Sequence, residues 1–178
     1  ESARITFAGS ELIAIEVDPV KLESAIKNSG SITAENGTVI LKADAAQELL
    51  DELINTPEES ADELVFVDGV PQLISSSGSI KAEKIEVSAG SGAVTVSGDI
   101  DASSDLAKGG SIEITGDAIQ LESTAKLDAT GATGGGEILV GGDWQGSGDL
   151  QQATKVTVES GAVLDASATE RGDGGKVV

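Results

Sequence analysis

A chain of 178 residues suits one domain, and with no Cys, no Met and no His it has neither disulfides, thiolate or imidazole chemistry nor the usual Zn, Cu and Fe ligand sets. Its net charge of −20 leaves no basic stripe to neutralise phosphates, which argues against nucleic acid and anionic membrane surfaces as partners. Phe7, Phe66 and Trp144 are the only aromatic residues, too few to wall an ordinary enzyme pocket, so the composition reads as structural.

The first strands predicted are Arg4-Ile5-Thr6-Phe7 and Ile13-Ala14-Ile15-Glu16-Val17, with Gly9 and Ser10 turning between them. Asp18-Pro19 combines a helix cap with a proline suited to the first helical turn, and Val20, Leu22 and Ile26 fall on one face. A short helix is therefore expected over residues 18–28. Strands resume at Ser31-Ile32-Thr33-Ala34 and Val39-Ile40-Leu41-Lys42-Ala43, around an Asn36-Gly37 turn.

From Asp44 to Asp68 no basic residue occurs, and Ala46, Leu49, Leu50, Leu53 and Ile54 follow helical spacing. Asp44 with Gln47 resembles a capping box, and Thr56-Pro57 starts a second helix. Leu64–Val67 and Val70–Ile74 flank Asp68-Gly69 as a β-hairpin. Residues 44–72 are thus read as an acidic helical and hairpin insertion on the outside of the fold.

Beyond Gly78 the chain repeats itself. Gly109-Gly110-Ser111-Ile112-Glu113-Ile114-Thr115-Gly116 is answered by Gly135-Gly136-Glu137-Ile138-Leu139-Val140-Gly141-Gly142, and a third copy opens at Gly174-Gly175-Lys176-Val177-Val178. Ala118–Ala129 likewise matches Lys155–Ala166. Each unit alternates Ile, Val or Leu with polar or small residues, the period of a strand buried on one face. Runs this short bury a core only by stacking on the same runs of the neighbouring unit. The fold class expected is all-β, a single parallel β-helix across 1–178, with a longer loop over 141–154. The absent initiator Met and the repeat cut short at Val178 read as a piece of a longer protein.

Three features carry candidate chemistry. Asp101, Asp128 and Asp165 share the outward position of one strand on successive units, so three carboxylates stack at strand spacing. They either bind a cation such as Ca²⁺ or stay hydrated with screened repulsion, and the hydrated reading is preferred because no repeating Gly-Gly-x-Gly-x-Asp pattern accompanies them. Trp144 either stacks on a sugar or partner protein or covers part of the fold, and a lone aromatic more often buries its area. Glu48, Asp51 and Glu52 in the acidic insertion either recognise a basic partner or form the wet face of an amphipathic helix. No acid/base pair stands out from the recurring Asp and Glu, so a carbohydrate-active enzyme rests on fold analogy alone and the chain is read as no enzyme.

Val17-Asp18-Pro19, the run Ile26–Ala43 followed by Ala45-Ala46, Ile54-Asn55-Thr56 and the later Leu-Asp-Ala and Gly-Gly units together resemble the shaft of filamentous-haemagglutinin-like exoproteins. These are the large secreted partners of bacterial two-partner secretion systems. The resemblance implies a right-handed parallel β-helix, export through an outer-membrane pore partner, and a place on the cell surface in adhesion, biofilm formation or contact-dependent competition. The Asn-Pro-Asn motif of the family's amino-terminal secretion domain is absent, which marks the chain as internal shaft. A monomer is expected, with a surface glycan or protein as the partner of any binding region.

Overall fold

The computed structural model describes residues 3–8, 12–17, 26–43, 66–67 and 70–178. In chain order its strands are β1 (Ala3–Ala8), β2 (Leu12–Val17), β3 (Ile26–Asn28), β4 (Ser31–Ala43), β5 (Phe66–Val67), β6 (Val70–Ser76), β7 (Ser79–Ser88) and β8 (Ala93–Val96). They continue as β9 (Asp99–Asp101), β10 (Ser111–Thr115), β11 (Ala118–Leu121), β12 (Lys126–Asp128), β13 (Glu137–Val140), β14 (Lys155–Val158), β15 (Val163–Asp165) and β16 (Lys176–Val177). The described chain is nearly all β, and its sheets are built of parallel pairs as the repeats require.

One sheet has six strands, ordered β14-β11-β8-β6-β3 with β5 on β6. The other has ten, and it forks. Along β7, Ser79–Lys81 pair with β9 while Lys84–Ser88 pair with β10. One branch then runs β9-β12-β15 and the other β10-β13-β16. Every pairing is parallel except β1 with β2 and β5 with β6, which are antiparallel. Short strands can pair in parallel because the rest of each unit carries the chain back to its start.

Register turns the repeats into columns. Val39, Ile85, Ile112 and Ile138 stand beside one another on β4, β7, β10 and β13, all with no exposed surface. Ile80, Ile100 and Leu127 form a second buried column, and Ile74, Val94 and Ile119 a third. All belong to one core cluster. Fully burying each such side chain is worth about 1.5–3 kcal/mol, so the columns are the main source of cohesion. At β14, paired on one side only, Val156 and Val158 continue the columns of Ile119 and Leu121 but are 41% and 52% exposed.

Glycine marks the fork because successive strands crowd their backbones there. A Cβ on Gly110 would lie 1.9 Å from the Glu83 carbonyl oxygen, one on Gly136 2.1 Å from that of Gly110, and one on Gly175 2.0 Å from that of Gly136. Any side chain would force the strands apart.

Two local expectations are corrected. The helix expected over 18–28 does not include its last residues: Ile26–Asn28 form β3 and pair with Ile74–Ser76. Ile26 and Asn28 are buried and Lys27 is exposed, a period of two that the distant partner strand enforces over the local cap signal. The Asn36-Gly37 turn is instead a bulge within β4, with Asn36 at a φ of 55°, because β4 pairs with β7 on both sides of it. The hairpin about Asp68-Gly69 is seen in β5 and β6, where Val67 opposes Val70. The remainder of the expected helix, residues 18–25, and the helical part of the insertion, residues 44–65, lie outside the described residues.

Candidate functional site

Asp101, Asp128 and Asp165 close β9, β12 and β15 in direct register, as the repeat predicts. Each carboxylate already has a local task. Its Oδ1 accepts the backbone N–H two residues on, from Ser103 at 2.8 Å, Thr130 at 2.8 Å and Ser167 at 2.9 Å. The Ser103 and Ser167 hydroxyls donate to the same oxygens at 2.6 and 2.5 Å. These Asx turns bend the chain out of the strand at the same point in three successive units. Burial pushes the Asp101 carboxyl up, but the bonds from Lys81 and Ser103 outweigh it and hold the group below its usual range. Among the described residues no three His, Cys, Asp or Glu side chains are grouped to hold a metal ion.

Trp144 does not bury its area against the fold. It sits in a single 3-10 turn, Trp144–Gly146, in the loop after β13, and its side chain is 56% exposed. The backbone around it is nonetheless pinned. Asp143 Oδ1 accepts the Trp144 N–H at 2.6 Å, and the Ser147 N–H and hydroxyl donate to the Trp144 carbonyl at 3.0 and 2.6 Å. Lys176 Nζ then joins Asp143 Oδ1 at 3.0 Å to Glu137 Oε1 at 2.8 Å. Its bonds to Glu137 and Asp143 raise the Lys176 ammonium, and the Trp144 N–H and Lys176 lower the Asp143 carboxyl.

Sequence reasoning did not find a surface that Lys176 links to this loop. Outside the fork, two recesses of about 470 and 510 Å³ share Lys108, Gly136 and Glu137. Lys84 and Lys176 stand on their walls, brought from β7 and β16. The Gly-Gly units were the available signal, since a stack of residues without side chains leaves a hollow. The third sequence candidate, Glu48, Asp51 and Glu52, lies outside the described residues.

Among the described residues no helix is long and apolar enough to cross a membrane. Compared with protein-family models, with curated proteins and with solved structures, the chain matches none.

Proposed function

We propose that the chain winds as a right-handed parallel β-helix and serves as a rigid shaft segment of a secreted bacterial surface protein of the filamentous-haemagglutinin-like kind. The observation that supports this most is the register of the aliphatic columns, in which Val39, Ile85, Ile112 and Ile138 occupy one position on four neighbouring strands. A core that advances by one strand per unit lengthens without widening, which is the mechanical requirement of a spacer. The Asp ladder and the glycine corners fit the same purpose, since they fix where each unit bends. In this reading the segment catalyses no reaction and reaches the cell surface through an outer-membrane pore partner.

The decisive test changes length alone. Ser111 pairs with Glu137, so deleting residues 111–136 from the protein as expressed by its host rejoins the chain in register. Cells carrying the shortened protein should export it normally and show reduced adhesion or contact-dependent activity, restored when one unit is duplicated. Activity that ignores length but disappears with single outward-facing substitutions would overturn the spacer role.

A further inference from the structure

The two recesses at the fork are halves of one trough. The residues before Thr38, Lys84, Ser111, Glu137 and Lys176 lie side by side on five neighbouring strands, so the trough runs roughly 20 Å at ordinary strand spacing. Glycine backbone floors most of it, and no bulky apolar side chain rises into it. The walls carry both signs of charge, and two of the ammonium groups are already neutralised: Lys84 by Glu86 at 2.5 Å and Lys176 by Glu137 and Asp143. Such a surface is rich in hydrogen-bonding groups and poor in net field.

Trp144 adds the missing apolar element. Lys176 lines the trough and also holds Asp143, the residue that pins the Trp144 backbone, so the wall and the perch of the indole share one ammonium group. An indole 56% exposed on a backbone pinned by Asp143 and Ser147 offers a stacking face whose main-chain ordering is already in place before a ligand arrives.

We propose that the trough and Trp144 together bind a neutral polysaccharide. Sugar hydroxyls would exchange hydrogen bonds with the Lys108 ammonium and the Glu137 carboxylate, while the C–H face of one ring stacks on the indole. A polyanionic glycan is disfavoured by a chain of net charge −20. A protein partner is disfavoured because the trough has no apolar pocket for a buried anchor. This site goes beyond the spacer role, and its failure would leave that role standing, because the spacer is judged by length.

Trp144 is the single tryptophan, so its fluorescence reports the site directly. Cellohexaose, xylohexaose, mannohexaose, maltohexaose and chitohexaose would be titrated at up to millimolar concentration, with a heparin hexasaccharide and an oligogalacturonate as anionic counterparts. At least one neutral hexasaccharide should shift or quench the emission. By calorimetry, Trp144→Ala should weaken that binding by about tenfold or more and Lys108→Ala by about threefold, the scale of one lost stacking contact and one lost hydrogen bond. Both side chains are exposed, so circular dichroism of the variants should match the wild type. The proposal is overturned if no neutral hexasaccharide binds, if only the anionic ones do, or if the Trp144→Ala variant binds as well as the wild type.

Discussion

Lys81 Nζ lies 2.5 Å from Asp101 Oδ2, its partner across the β7–β9 pairing. The Asp101 carboxyl is held low against the opposing effect of burial, and the bond to Asp101 raises the Lys81 ammonium. A lowered carboxyl stabilises the fold above its ordinary pKa, and that contribution is lost as pH falls through the folded-state value. A raised ammonium stabilises below its ordinary pKa and loses that contribution as pH rises through the folded-state value. The pair should therefore support the fold across neutral pH and weaken below about pH 4 and above about pH 10.5. Asp101→Asn keeps an oxygen for Ser103 but removes the charge. With Lys81 half exposed, the loss at pH 7 should be about 0.5 kcal/mol in urea unfolding, shrinking towards zero near pH 2. An equal loss at both pH values would assign the effect to something other than charge.

The middle carboxylate of the ladder tests what the ladder is for. Asp128 stands between Asp101 and Asp165 and accepts the Thr130 N–H. If turn closure is its role, Asp128→Ala should cost about 1 kcal/mol and Asp128→Asn clearly less, because the amide oxygen still accepts. Adding Ca²⁺ to millimolar concentration should then move the melting temperature by no more than about 1 °C, and chelation should leave it unchanged. A Ca²⁺-dependent rise of several degrees that Asp128→Ala abolishes would make the ladder a cation site.

Two glycines of similar sequence setting should respond in opposite ways. A Cβ on Gly110 would meet the Glu83 carbonyl oxygen at 1.9 Å, whereas one on Gly174 would meet nothing within 4 Å. Gly110→Ala must separate β7 from β10 and should lower stability by about 2 kcal/mol or more. Gly174→Ala should be neutral or stabilise by up to about 1 kcal/mol, through the entropy lost from the unfolded chain. Comparable losses in both variants, measured by denaturant unfolding, would mean that strand crowding does not explain the glycine stack.

What could be read from the sequence was what the sequence repeats. Ser111–Ile114 and Glu137–Val140 look alike because they are spatial neighbours, so matching residues also gave the register. Lys126–Asp128 and Val163–Asp165 were paired in the same way. Ile26–Asn28 was misassigned because its partner, Ile74–Ser76, is far off in the chain while the Asp18-Pro19 cap signal is close by. The fork is not legible in the sequence because one strand, β7, serves two branches at once, and no local pattern encodes that. The trough is hidden for a related reason, since Lys108 comes to share one recess with Lys84 and the next with Lys176 only after the units have stacked.

The columns also predict where a cavity is costly. Ile112 has no exposed surface and is flanked in register by Ile85 and Ile138, so removing its side chain leaves a void bounded by aliphatic neighbours on both sides. Ile112→Ala should cost about 3–4 kcal/mol, combining lost transfer energy with an unfilled cavity. Val156 occupies the corresponding place beside Ile119 on the one-sided strand β14 and is already 41% exposed. Val156→Ala should cost about 1 kcal/mol or less, because little buried area is lost and the surroundings can relax. If stability is carried along the stack from strand to strand, the interior substitution should also reduce the cooperativity of unfolding, splitting one transition into two around the damaged unit. Equal costs at the two positions, or a single sharp transition in both variants, would show that the aliphatic columns do not carry stability along the stack.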